Sequence, residues 1–184
     1  MTGPAPRVLV VVASRHGATE EIARAIAARL SEPATGLTAV AVRAEQDPDP
    51  HPVAAVVLGS AVYMGRWLEP ARLYAAARAA ALRGRPVWLF SSGPIGEPPF
   101  PPDEPHDAAP LMRLTGAREH RIFAGRLDRA RLGLGERAMV TAMRAPLGDF
   151  RSWDAVRSWA DAIGKELTDP SALLPGGPVG AQRG

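Results

Sequence analysis

Residues 7–30 read RVLVVVASRHGATEEIARAIAARL. An unbroken run of Val and Leu stops at a small, hydroxyl-bearing turn, and a helical pattern follows without a gap. The consecutive apolar residues 8–13 mark residues 7–13 as a strand buried on both faces, as in a parallel sheet. From residue 18 the period changes: Ile22, Ile26 and Leu30 recur every four residues, one stripe of a helix spanning 18–30. The turn between them, Ser14-Arg15-His16-Gly17-Ala18-Thr19, lies at the carboxyl end of a strand and directly before a helix N-terminus. Unpaired amides and a partial positive charge favour an anion there. Gly17 lets the main chain approach such an anion closely, and the Ser14 and Thr19 hydroxyls can add donors. Each hydrogen bond to a charged oxygen contributes about 1.5–3 kcal/mol, so several together can hold a phosphate without a metal or a lysine. The plainer alternative is a ligand-free turn with Thr19 near the helix cap. His16 either touches the phosphate or points into solvent.

The rest of the chain repeats the alternation. LTAVAV (37–42), VAAVVLGS (53–60), PVWLFSSG (86–93) and EHRIFAGRL (119–127) read as further strands. WLEPARLYAAARAAAL (67–82) reads as one helix, with Pro70 in its first turn where proline is tolerated. Residues 152–167 form the clearest helix: Ser152 is the expected N-cap, and Trp153, Val156, Ala160, Ile163 and Leu167 share a face. Strands alternating with helices imply right-handed crossovers and a parallel sheet covered on both sides. The expectation is one α/β domain over residues 1–167, a three-layer α/β/α fold on a five-stranded parallel sheet. The Pro-rich, acidic stretch 96–107 is expected to be an exposed loop, 128–151 an extra segment, and 168–184 a disordered tail.

Composition narrows the chemistry. The chain has 184 residues and no cysteine, which removes disulfides, Cys-ligated metals and thiol nucleophiles. No metal-ligand pattern is apparent. Net charge is only +3 and Lys165 is the single lysine, so nothing points to nucleic acid. No apolar run approaches a membrane span of about 20 residues, and the N-terminus has no signal-peptide pattern. The expected location is the cytoplasm. There is no G-x-G-x-x-G after the first strand and no G-x-x-x-x-G-K-[ST], so the dinucleotide and P-loop phosphate sites are both excluded.

SRHGATEEIA after the first strand resembles the phosphate loop of the flavodoxin-like family. GSAVYMGRW, FSSGPIG, HRIFAGRLD and GDFRSWDAVRSWA, in that order, resemble its menaquinone-dependent protoporphyrinogen oxidase branch. The resemblance implies FMN and a strand order of 2-1-3-4-5. It implies that Ser14, Arg15, His16, Gly17, Ala18 and Thr19 hold the FMN phosphate. It also implies that the isoalloxazine lies between Ser60, Ala61, Val62, Tyr63, Met64 and Gly65 on one side and Ser91, Ser92, Gly93, Pro94, Ile95 and Gly96 on the other. A flat ring with a polar edge needs apolar walls and backbone donors, and these loops carry both. Tyr63 and Met64 would pack on a ring face, or else close the core; Trp67 reads as core. No catalytic acid or base is assignable.

Residues 113–144 are locally basic, and ERAMVTAMRA (136–145) reads as a helix with Met139, Val140 and Met143 on one face. Either that face packs into the core, or the segment meets porphyrinogen carboxylates or an anionic lipid surface through residues 128–151, at the inner face of the cell membrane. The leading expectation is an FMN oxidoreductase that takes electrons from a porphyrinogen and passes them to a quinone. The alternatives are an electron carrier, to which the net positive charge is ill suited, and a flavin-free α/β binding protein. A homodimer is compatible with the chain, though no residue pattern points to one.

Overall fold

A computed structural model describes residues 5–93, 95 and 104–169. Pro94, Gly96, most of the 96–107 loop and residues 170–184 of the expected tail lie outside the described residues. The elements run β1 (Arg7–Ala13), α1 (Ala18–Leu30), β2 (Thr38–Arg43), β3 (Ala55–Tyr63), β4 (Arg66–Trp67), α2 (Glu69–Ala77), α3 (Ala79–Arg83) and β5 (Val87–Ser92). They continue with α4 (Ala108–Thr115), β6 (Glu119–Phe123), β7 (Arg126–Leu127), α5 (Leu134–Ala142), β8 (Gly148–Asp149) and α6 (Trp153–Thr168). The main sheet has the order β2-β1-β3-β5-β6, all parallel. Counting the five long strands alone, this is the expected 2-1-3-4-5.

The two faces of the central strands explain the layering. Val8, Val10 and Val12 of β1 and Val57 of β3 pack with Ile22, Ile26 and Leu30 of α1 and with Val156, Trp159 and Ile163 of α6. Leu9 and Val11 of β1 and Val56 and Leu58 of β3 pack with Ala71, Tyr74 and Ala75 of α2, Leu82 of α3 and Leu111 of α4. Because side chains alternate between faces with period two, a strand covered on both sides must be apolar throughout. That is why Val8 through Ala13 are all buried. Ser152 caps α6 as expected, its hydroxyl accepting from the Ala155 amide at 3.3 Å.

Several elements differ from the sequence reading. The helix expected over 67–82 is two, α2 and α3, broken at Arg78 (φ −104°, ψ 10°), where the guanidinium turns to pair with Asp47 at 2.6 Å. Helix α4 supplies the crossover between β5 and β6. Its eight residues begin beside a Pro-rich run and contain Pro110, which hides it from periodicity. The end of the 96–107 loop is pinned rather than free: Pro105 and Asp107 are buried, and Asp107 accepts from the Trp67 amide at 2.8 Å. Helix α6 runs on to Thr168, one residue into the stretch expected to be tail.

The extra segment has its own closure. Strands β7 and β8 pair antiparallel, Leu127 against Gly148 and Arg126 against Asp149. They pinch the chain at the base of an excursion that carries α5. Glu21 in the first turn of α1 fastens that base through Arg126 (3.0 Å) and Arg151 (2.8 Å).

Candidate functional site

Strand register sets the floor of the site. Ala13, Ser60, Ser91 and Ile122 stand in one row across β1, β3, β5 and β6. Strand β1 ends at that row while Ala61, Ser92 and Phe123 carry the other three strands one row further, and between β1 and β3 the direction of strand addition reverses. Open parallel sheets bind ligands at such a point.

The loop after β1 presents unpaired amides at the start of a helix. Gly17 takes a left-handed conformation (φ +85°) as the residue before α1. The first helical hydrogen bond runs from the Glu21 amide to the Gly17 carbonyl at 3.0 Å, so the amides of Ala18, Thr19 and Glu20 have no acceptor within the helix. The Ser14 hydroxyl accepts from the Gly17 amide at 3.1 Å, which leaves its own proton to donate. Thr19 is buried.

The loop after β3 continues the strand three residues past Ser60 and reverses it in a two-residue hairpin. Tyr63 pairs with Arg66, and Met64 and Gly65 between them both have positive φ, 50° and 75°. Two consecutive left-handed residues are the twist-matched way to turn such a hairpin. A side chain at position 65 would come within 2.8 Å of the His106 ring. Gly93 similarly allows close approach to Val62, where a Cβ would meet the Val62 Cβ at 3.0 Å.

These two loops and the extra segment enclose a cavity of about 640 Å³. Val62, Tyr63, Met64, Gly65, Gly93 and Ile95 form one part of its lining. The remainder includes Ile122 and Leu127, with Leu132, Met139, Val140 and Met143 as a roof from the excursion. Helix α5 has no buried residue; its apolar face covers the cavity instead of entering the core. Of the other residues expected here, Ser60 and Ser91 turn their hydroxyls inward. Ser60 accepts from the Leu68 amide at 2.9 Å and donates to the Ala61 carbonyl at 2.8 Å. Ser91 accepts from the Trp67 indole at 2.7 Å and meets the His120 ring at 2.8 Å. Ser92 is buried, and Trp67 is a core residue.

Glu136 joins the anion loop to the cavity. One carboxylate oxygen accepts from the Tyr63 hydroxyl and lies 3.1 Å from both His16 Nε2 and Arg15 Nε. The other accepts from the Gly133 amide at 2.8 Å and caps α5. Arg15 also stacks over the Tyr63 ring, 4.8 Å from its centroid. The Tyr63 hydroxyl and the Gly133 amide, with His16, pull the Glu136 carboxyl down to about 2. Burial, and then the Glu136 charge, push the Tyr63 hydroxyl up to about 12. His16 therefore neither faces open solvent nor stands idle. The sequence reading places Glu136 at the start of the 136–145 helix and gives it no part in the site; its partners at positions 15, 16 and 63 are visible only in three dimensions.

Comparisons with known proteins agree with this architecture. The family model described as a flavodoxin domain matches residues 9–153. Among solved structures, an archaeal flavodoxin superposes with a TM-score of 0.60 at 16% identity, covering 89% of this chain and 99% of its own. Flavodoxin 1 from Bacillus cereus gives 0.58 at 14%, covering 86% and 97%. The rubredoxin oxygen:oxidoreductase of the anaerobe Desulfovibrio gigas gives 0.58 at 12%, covering 89% of this chain and 37% of its own. No curated protein sequence matches.

Proposed function

The chain belongs to the flavodoxin domain family and binds FMN, and from that premise we propose that it is an oxidoreductase exchanging electrons with a small apolar molecule admitted beneath α5. The observation that carries this reading is the roofed cavity. Leu132, Met139, Val140 and Met143 of the excursion face the two loops that would hold the isoalloxazine.

FMN supplies the electron-transfer chemistry when bound; the chain binds, orients and shields. The first-turn amides of α1 and the Ser14 hydroxyl would take the phosphate. Val62, Tyr63, Met64 and Ile95 would wall the ring, with Gly65 and Gly93 allowing the backbone to come close. Met139 of α5 and Met143 just after it would adapt to a flat partner, since unbranched thioethers fill irregular gaps. An electron carrier that docks on proteins needs an open ring edge, which this roof would cover.

A quinone suits such walls. Beside the cavity, Arg129, Arg137 and Arg144 line a second cleft of about 230 Å³, where the carboxylates of a porphyrinogen could pair with guanidinium groups. Oxidation of protoporphyrinogen with a quinone acceptor is the finest form of this proposal. Leu134, 86% exposed and one turn before Arg137, would rest with those arginines on an anionic lipid surface from which a quinone could be drawn.

The test is anaerobic turnover of the FMN-loaded protein. Protoporphyrinogen should bleach the flavin absorbance and a menaquinone analogue should restore it. Bleaching by a protein reductase alone, with no response to either small molecule, would favour the carrier.

A further inference from the structure

The excursion that roofs the cavity also grips the anion loop. Glu136 places one oxygen against Arg15 and His16, both at 3.1 Å, and against the Tyr63 hydroxyl. From the same excursion, Arg131 donates to the His16 carbonyl at 2.9 Å. Glu136 is itself part of the cavity wall, and its side chain is 14% exposed. Any ligand with its anionic end on residues 14–19 and its ring between Tyr63 and Ile95 must pass this carboxylate.

We propose that Glu136 is a built-in surrogate anion: it competes with the flavin phosphate for Arg15 and His16, and the phosphate, on arriving, releases α5 from the loop. This rests on the FMN reading above. Two like charges drawing on the same two donors repel each other, and a carboxylate can retain both partners only while no stronger anion is near. A dianionic phosphate offers Arg15 a bidentate partner in place of the single oxygen it now meets. Among the described residues, loss of the Glu136 contacts leaves Arg131 as the polar tie between excursion and loop, so the roof stays over the cavity but opens more readily. Because coupling between two sites is reciprocal, whatever holds the roof down must weaken phosphate binding by the same factor. The position of the roof thereby reports whether the phosphate site is filled, so the cavity becomes accessible to a second molecule only in the loaded protein.

The experiment compares FMN with riboflavin, which has the ring and ribityl chain but no phosphate. Dissociation constants for both are measured on the full chain by flavin fluorescence, for the wild type, Glu136→Gln and Tyr63→Phe. Gln keeps the size of the side chain and an oxygen to cap α5, but carries no charge. In Glu136→Gln, FMN should bind roughly tenfold tighter with riboflavin unchanged, and the difference should shrink as salt is raised. Tyr63→Phe removes one anchor of the same carboxylate without removing its charge, and should raise the FMN-to-riboflavin affinity ratio in the same direction but by less. Amide exchange across residues 134–142 should quicken on adding FMN to the wild type and stay the same on adding riboflavin. An unchanged FMN-to-riboflavin ratio in Glu136→Gln, or slower exchange in α5 with FMN than with riboflavin, overturns the proposal. Failure of the wild type to bind FMN at all would instead remove the function on which it rests.

Discussion

Met64 stands with φ at +50° and 85% of its surface exposed, in a turn that ordinarily takes Asn or Gly. A left-handed conformation costs an L-residue roughly 1–2 kcal/mol, and Asn bears it better than Met. Met64→Asn should therefore raise the thermal midpoint by a few degrees while weakening flavin binding, because the thioether lines the cavity. Gly17 is the opposite case. Its φ of +85° suits glycine, and a Cβ there would lie 3.2 Å from Arg131 Nη1. Gly17→Asp adds that atom and a negative charge beside the phosphate, so FMN affinity should fall on the order of 100-fold, with riboflavin far less affected in the same titration. Glu136 gives a pH signature. Its folded value, about 2, is below the ordinary 4.5, so its contribution to stability is complete above about pH 4.5 and is lost as pH falls towards 2. A carboxyl-carbon NMR titration should place the midpoint near 2 in the wild type and higher in Tyr63→Phe.

Among the elements, the β3–β5 pair shows how tightly the floor of the site is packed. A Cβ at Gly59 would sit 2.0 Å from the Phe90 ring on the neighbouring strand, so Gly59→Ala should destabilise the domain by about 1–3 kcal/mol, read by chemical denaturation. The excursion behaves differently. Its ends pair at Leu127 and Gly148, and α5 buries nothing in the core. Replacing residues 128–147 by a two-residue turn should leave a folded, FMN-binding domain that no longer turns over the small-molecule substrate. Loss of folding in that variant would mean the roof is structural. How far the sequence reveals each element follows from the range of the interactions that shape it. Strand β1 and helices α1 and α6 declare themselves because burial on a regular face leaves a periodic trace. Helix α4 is too short and proline-marked to leave one, and the break at Arg78, whose side chain pairs with the distant Asp47, falls in an alanine-rich run that carries no mark of it. The apolar face of α5 is legible as a pattern, but not the fact that it covers a cavity.

For the molecule as a whole, the site follows from topology more than from any one residue. Reversal of strand order between β1 and β3 brings three loops to one end of the sheet, and the residue types at 14–19 and 62–65 suit what that end can bind. The sequence locates those loops. It does not show that Ser60 and Ser91 direct their hydroxyls inward, or that Glu136 spans the gap, because such contacts join residues as far apart in the chain as Arg15 and Glu136. The most direct measurement is a crystal structure grown with FMN. The account predicts the phosphate on the amides at the start of α1 and the ring between Tyr63 and Ile95, beneath Met139 and Met143. Phosphate density anywhere else, or a ring lying outside the cavity, would contradict it.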